Sequence, residues 1–464
     1  MLVALAAAAL ISPQLGWRAG TPTPVLEGNP RWVELYWKAW ENLHAATFEE
    51  KEPGPWPPRV FAPEGSISFE QTLTISLYAN WGWRAHPAQE TLAYVMQGVA
   101  DEGTAPARFG TAGSSDEAAG LPIAALAAER VFRLSGDREA LQRHASGAQK
   151  RHGFYRGRYS FPIPPKDEKE KPRVGYRVPL ELSSLPFPQE APGEVSAEAI
   201  GLLLQDAAMM AKLYRGLGDS RSAGTSERLA DALSTQLRTL WSVEDRRFRS
   251  TTEGATERDS IMPLLGGIGG RAPNAREALQ GLFDPGRYYR RTLFPTVART
   301  DRSYNGALGT RPLHSYLALR ALIDSGMQRD AGRAGEHILG VFESAAGPGM
   351  GLFGAYGPET RTPPEGALPG SLEAGTIAIS ALIEAVMGID VDAKAGKVSW
   401  FLRRNDRHGL ENLRFGDNVV SVVWANGTFE VQCEKPFALE LTRDGKKHEN
   451  RFPAGKSTWT PGAE

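Results

Sequence analysis

The sequence predicts a mainly α fold, an (α/α)6 toroid over residues 29–389 with a small C-terminal antiparallel β domain over residues 397–464. Three observations predict it. Helical segments recur in pairs with short joins; the loops between pairs are long, polar and rich in Gly and Pro; and the hydrophobic period changes from helical to two at Val398. A chain of 464 residues is too long for one small core and suits a large helical ring with an appendage.

Composition narrows the function classes. Apolar residues make up 41%, charged residues 23%, and the formal net charge is −1, so no net field draws nucleic acid or anionic lipid. A neutral or mixed-charge ligand is expected. The single cysteine, Cys433, rules out an intramolecular disulfide and a Cys-based metal cluster. The eight His residues are scattered and none pairs with Asp or Glu at ligand spacing, so neither a metal nor another cofactor is expected. The run Gly266–Gly270 follows a short helix without a preceding strand and lacks a Lys-Ser/Thr ending, which makes it a loop and not a phosphate cradle. Residues 1–20 carry an apolar Leu, Val and Ala run resembling the core of a signal peptide, although no Lys or Arg precedes it. Export to the periplasm or outside the cell is the expectation, with a cytoplasmic protein whose run is an ordinary N-terminal helix as the alternative, and the run is too short to span a membrane.

The first helix follows Asn29 as N-cap and Pro30 at the first helical position, and Trp32, Tyr36 and Trp40 form one aromatic face, read as core. A Pro-rich connector over 50–65 cannot be helical. Ser68–Trp81 and Pro87–Val99 make a helical pair around the turn Ala79–Arg84, where Trp81 and Trp83 suit either stacking on a sugar face or packing of a helix end. The next pair, 116–135 and 137–153, is joined at Gly136-Asp137, a C-terminal stop followed by an N-cap. A long Pro-rich, charged insertion over Tyr155–Pro192 then reads as a lid, a site wall or a β-hairpin excursion.

Glu194–Leu217 is the clearest helix, with Ile200, Leu203, Leu204, Ala207, Met210 and Leu213 on one stripe and Gly218 as its stop. Arg221–Trp241 is its partner, and further helices are expected at 260–265, 275–283, 313–325, 328–343 and 372–387. The polar loop 301–312 feeding the helix at Leu313 offers Tyr304, Asn305, Arg311 and His314, a hydrogen-bonding set held at the rim of a rigid element. Beyond Val398, Asn426-Gly427 between alternating strands predicts a type I′ hairpin, and Arg443–Lys446 a second one. The hairpin turn accounts for Asn426-Gly427-Thr428, which also fits a glycosylation acceptor.

Segments at 69–82, 121–141, 199–219, 240–248, 259–268, 310–327 and 353–389, taken in order and spacing, resemble the six-hairpin glycosidases, in particular the trehalase and glycoside hydrolase family 63 group with its mannosylglycerate hydrolase-like proteins. The resemblance implies a helical toroid acting on a carbohydrate at the mouth formed by its long loops. It also implies a general acid within a Ser-Gly-x-Asp-Asn-Ser-Pro stretch and a base two residues before a Tyr. The corresponding positions here are Ser183–Pro188, without a carboxylate, and Gly354 before Tyr356. The family's Trp-Asp pair appears as Phe69-Glu70, and its Trp-Arg-Gly loop as Tyr304-Asn305-Gly306.

Inverting glycoside hydrolysis needs one protonated and one ionised carboxyl facing the same cavity. The loop carboxylates Glu70, Glu181, Glu190, Glu359 and Glu373 are the candidates, each alternatively a solvated charge or helix cap; Glu181 and Glu359 lie closest in sequence to the two missing positions, and Glu70 is the carboxylate kept in the Phe69-Glu70 pair. Trp81, Trp83, Tyr304, Asn305, Arg311, His314 and Tyr356 are the candidate substrate-binding residues. Two other readings stay open. A polysaccharide lyase acting on a uronate polymer would use Arg311 to neutralise the carboxylate and Tyr304 or His314 to move the proton. A toroid that has lost its acid and base would bind carbohydrate without turnover.

Overall fold

The computed structural model describes residues 13–49, 57–109, 117–118, 120–163, 173–177, 195–250, 259–345 and 351–462. The apolar run at the N-terminus and the carboxylates Glu181 and Glu190 lie outside these residues.

The helices are α1 (Pro30–Ala45), α2 (Phe69–Ala79), α3 (Ala88–Gln97), α4 (Ala124–Ser135), α5 (Arg138–Tyr159), α6 (Ala197–Leu217), α7 (Ser220–Thr239), α8 (Ala275–Gln280), α9 (Pro312–Asp324), α10 (Gln328–Ala345) and α11 (Thr376–Met387). Of several short 3-10 helices, Met262–Gly267 takes part in the ring. Contacts run from α2 to α4, α6, the short helix, α9 and α11, and back to α2, so six elements close an inner ring. α1, α3, α5, α7, α8 and α10 pack outside it. The fold is an (α/α)6 toroid.

Sequence explains which helix goes where. All twelve residues of α11 are buried, and α9 is buried from Pro312 to Leu322, as helices apolar all round must be. α5 and α7 carry charged outer faces and bury only one side. The expected stops and caps are present. Gly136 adopts φ 66°, and Asp137 Oδ1 then accepts from the amides of Glu139 and Ala140 at 2.9 Å, so α4 ends and α5 begins within two residues. Trp32, Tyr36 and Trp40 are core residues.

Further along the inner helices a buried ion network fills the ring. Glu384 of α11 accepts from Arg130 of α4 at 2.8 Å, Arg320 of α9 at 3.1 Å, Tyr316 at 3.0 Å and Trp81 at 3.3 Å. Four donors on one carboxylate satisfy a charge that burial would otherwise make costly.

The strands numbered here are β1 (Thr23–Leu26), β2 (Ile389–Asp392), β3 (Lys397–Phe401), β4 (His408–Phe415), β5 (Asn418–Ala425), β6 (Thr428–Cys433), β7 (Phe437–Arg443), β8 (Lys446–Phe452) and β9 (Gly455–Trp459). They form a five-stranded sheet in the order β1-β4-β5-β6-β9 and a four-stranded sheet in the order β2-β3-β7-β8. Every pairing in them is antiparallel except β3 with β7, which run parallel because the chain crosses to the other sheet between them. The N-terminal strand β1 joins this unit by pairing with β4. The unit also serves the toroid, since the amides of Ala393 and Gly416 donate to the carbonyls of Arg133 and Leu134 at 2.8 and 2.7 Å, taking up acceptors that the end of α4 leaves open. The hairpin Ser160–Ile163 with Arg173–Tyr176 follows α5.

Among the described residues no helix is long and apolar enough to cross a membrane, and no group of three or more His, Cys, Asp or Glu is placed to hold a metal.

Candidate active site in the toroid mouth

A polar cavity of about 490 Å³ opens where four inner-ring elements begin, lined among others by Ser68 at the N-cap of α2 and Glu70, Gln71 and Thr74 within it, Gly120, Leu121 and Ile123 before α4, Arg311, Leu313 and His314 at α9, and Gly370–Glu373 before α11. Local capping sets its walls. Ser68 Oγ accepts from the amide of Gln71 at 3.4 Å, which starts α2 and places Glu70 in its first turn. Pro312 occupies the first turn of α9, and Glu373 Oε1 accepts from the Leu313 amide at 3.2 Å while its Oε2 accepts from Arg311 Nη2 at 3.0 Å. One carboxylate thus holds both the start of α9 and the guanidinium beside it.

Glu70 is different. Among the described residues its carboxylate has no hydrogen-bond or ion-pair partner, although its surface is open to the cavity. The surrounding protein raises its pKa above the usual carboxylate value by desolvation, and the charges of Arg311 and Arg151 oppose that shift only in part. Arg151 is buried behind it, donating to the carbonyls of Gly103 and Ala118 at 3.1 Å and to Tyr155 Oη at 2.6 Å. Gly120 faces the carboxylate closely: with φ at +107°, any Cβ there would stand 2.6 Å from Glu70 Oε1.

His314 lines the same cavity and is buried, with Nδ1 at 2.7 Å from Thr296 Oγ1 and Nε2 without a partner. Burial, then the charge of Arg311, holds its pKa well below the ordinary histidine value, so the ring is neutral near pH 7. Arg311 and His314 also line a second, more enclosed annex of about 290 Å³, whose other walls are Thr296, Val297, Ser303, Tyr304, Asn305, Leu308 and Gly309.

The mouth therefore gathers Glu70, Arg311, His314 and Glu373, with Tyr304 and Asn305 in the adjoining annex. It does not gather the rest. Trp81 is fully buried and donates to Glu384, so it belongs to the core and offers no ring face to a sugar. Tyr356 is fully buried, stacked on Phe342 at 4.2 Å, and its hydroxyl accepts from the Phe353 amide. Trp83 is half-buried against the core beneath the Arg84 guanidinium, outside both cavities. Glu359 lines neither cavity. Arg290 grips both its oxygens at 2.7 and 2.9 Å, Tyr304 donates to it at 2.9 Å, and these partners, Arg290 first, lower its pKa. A carboxylate so engaged is a structural anchor for the 290–304 and 356–360 loops. Asn305 is likewise occupied as a turn former, its Oδ1 accepting from the amides of Ala307 and Leu308. Gly354 sits beside the mouth, where a Cβ would meet Ser371 Oγ at 3.5 Å.

Gln71, Arg108 and Gly120 are wall residues that periodicity does not single out. Only Gly120 leaves a trace in sequence, as a glycine just ahead of an inner helix.

No protein-family model matches the chain, and no curated protein sequence matches it. Solved structures do. The GH63 mannosylglycerate hydrolase from Thermus thermophilus, in complex with glucose, superposes with a TM-score of 0.53 at 14% identity, covering 74% of this chain and 98% of that one. The alpha-L-rhamnosidase from Aspergillus terreus gives 0.60 at 11% identity over 95% of this chain and 50% of that one. The fold is that of the six-hairpin glycosidases. A GH78 family rhamnosidase of Bacillus sp. GL1 agrees, with a TM-score of 0.58 at 14% identity over 89% of this chain and 42% of that one. The chain thus spans nearly the whole of the mannosylglycerate hydrolase and about half of each rhamnosidase. In this six-hairpin glycosidase fold the mouth cavity lies at the N-terminal ends of the inner helices.

Proposed function

We propose that the protein hydrolyses a glycoside in the mouth cavity, with Glu70 as general acid and Glu373 as the partner carboxylate that orients water, by inversion. The observation that carries this reading is Glu70 itself, a carboxyl open to the cavity, without a partner among the described residues, whose pKa is raised by desolvation from the surrounding protein. A general acid must hold its proton near the operating pH, and desolvation without a hydrogen-bonded partner moves Glu70 in that direction. Glu373, just ahead of the adjacent inner helix α11, brings a second carboxylate to the same cavity with its orientation fixed by Arg311 and the Leu313 amide. This assignment differs from the sequence-based preference for Glu181 and Glu359, since Glu359 lines neither cavity and Glu181 lies outside the described residues. The lyase reading has less support, because the Tyr304 hydroxyl is given to Glu359 and Arg311 to Glu373.

The test is a panel of disaccharides and aryl glycosides, followed by proton NMR of the first product formed. Release of a sugar with the anomeric configuration opposite to the substrate supports the proposal. A retained configuration contradicts inversion, and an unsaturated product absorbing in the ultraviolet contradicts hydrolysis.

One observation favours a second reading. Gly354 stands where the resemblance expects the base, so a toroid that binds carbohydrate without turnover also accounts for the polar mouth. Saturable sugar binding with no product from any member of the panel would select it.

A further inference from the structure

We infer that the annex beside the mouth is a subsite for a ring-sized apolar group carried by the substrate, so that the preferred ligand is a glycoside with an aryl or similar aglycone and not a plain oligosaccharide. This rests on the glycosidase reading and says which glycoside it concerns.

Three features converge. Val297, Leu308 and the Tyr304 ring give the annex apolar walls, and its volume of about 290 Å³ exceeds the roughly 150 Å³ in which a dry apolar cavity takes up benzene. Leu308 is 46% exposed, one of six large apolar side chains exposed among the described residues, and it stands at the annex wall. Arg311 and His314 belong to both cavities, so a single ligand can place its polar ring against Glu70 and its apolar group against Leu308. His314, which lines both cavities, also carries a nitrogen without a partner, Nε2. It is a polar atom on a side chain only 1% exposed, with no hydrogen bond, and leaving such an atom unsatisfied is costly.

The experiment uses the full chain and p-cresol as a sugar-free apolar probe, followed by ligand-observed NMR and by the imidazole resonances of His314. Leu308→Ser, at an exposed position, keeps the fold, and Val297→Phe fills the annex from within. The proposal expects p-cresol to bind the wild type, to shift His314, and to bind at least about ten-fold more weakly to both variants, the scale on which apolar pockets discriminate. No binding to the wild type, or equal binding to Leu308→Ser, overturns it. Aryl and methyl glycosides, with and without O-acetyl groups on the sugar, then locate the apolar group: a preference for aryl over methyl that Leu308→Ser abolishes places it on the aglycone, whereas a preference set by acetylation alone overturns the aglycone assignment. Turnover of glycosides without p-cresol binding leaves the hydrolase reading intact and removes the annex. p-Cresol binding without any turnover upholds the annex as an apolar subsite and removes the hydrolase.

Discussion

Arg311 Nη2 lies 3.0 Å from Glu373 Oε2, and the same guanidinium acts through its charge on Glu70, so one cation ties together the two carboxylates of the mouth. The guanidinium holds the Glu70 pKa lower than burial alone would place it. Replacing Arg311 by Met removes that charge at similar length. The acid must be protonated to act, so activity falls as pH rises through the Glu70 pKa, and Arg311→Met is expected to move this alkaline limb of kcat/KM to higher pH. A limb that stays in place, or moves down, contradicts the electrostatic link. The same shift has a stability counterpart. Because the folded pKa of Glu70 is raised above that of the unfolded chain, its contribution is full below the unfolded value and is lost as pH rises through the folded one.

Gly120 is expected to be intolerant of any side chain. Its φ of +107° disfavours L residues, and a Cβ would collide with the Glu70 carboxylate. Gly120→Ala should cut kcat/KM by at least about ten-fold, the effect of misplacing a positioned group. Thermal unfolding measured beside the rates separates the two causes, since strain alone lowers the melting temperature without changing the pH profile of the folded enzyme.

Glu359→Gln is expected to act on stability more than on turnover. It breaks a bidentate ion pair with Arg290 that is partly open to solvent, a loss of about 1 kcal/mol. Rates should stay within about three-fold of wild type, well short of the roughly 10²- to 10⁴-fold effect of removing a general acid or base. A loss of about 100-fold or more at unchanged melting temperature would return Glu359 to the chemistry.

Glu384→Ala is expected to be severe, because it strands Arg130 and Arg320 inside the ring. Breaking a buried ion network by removing one partner costs about 3–5 kcal/mol. Chemical denaturation measures it directly, and a loss below about 1 kcal/mol would show that Asp390, already paired with both arginines, and Asp324, paired with Arg320, compensate for the missing carboxylate.

What was legible in the sequence was whatever rests on local chemistry. Gly136-Asp137 marks a helix join because its backbone and cap needs are met by near neighbours in the chain, and Asn426-Gly427 marks a hairpin because both residues adopt positive φ, 49° and 85°. The burial of α11 and α9 follows from their composition. The short helix Met262–Gly267 was visible as a helix but not as a member of the inner ring, since six residues carry too little periodicity to reveal a packing partner. Sites depend on long-range partners and were read less well. Trp81 and Tyr356 have the residue types of a sugar platform, and only Glu384, far away in sequence from Trp81, and Phe342, stacked on Tyr356, turn them into core. Glu359 looked like a free loop carboxylate until Arg290 was brought to it from 69 residues away. Arg311 and His314 were recognisable as part of a polar loop feeding a helix, and Glu70 through the Phe69-Glu70 pair of the family resemblance; the structure puts all three at or beside the starts of inner helices.

The most direct measurement compares wild type and Glu70→Gln on one glycoside with a poor leaving group and on its dinitrophenyl counterpart, with ligand binding followed in parallel. If Glu70 donates the proton, the variant loses about 10²- to 10⁴-fold on the poor leaving group, keeps much more of its rate on the dinitrophenyl glycoside, whose departure needs no acid, and binds ligand as the wild type does. Equal rates for wild type and Glu70→Gln on the poor leaving group would contradict the account.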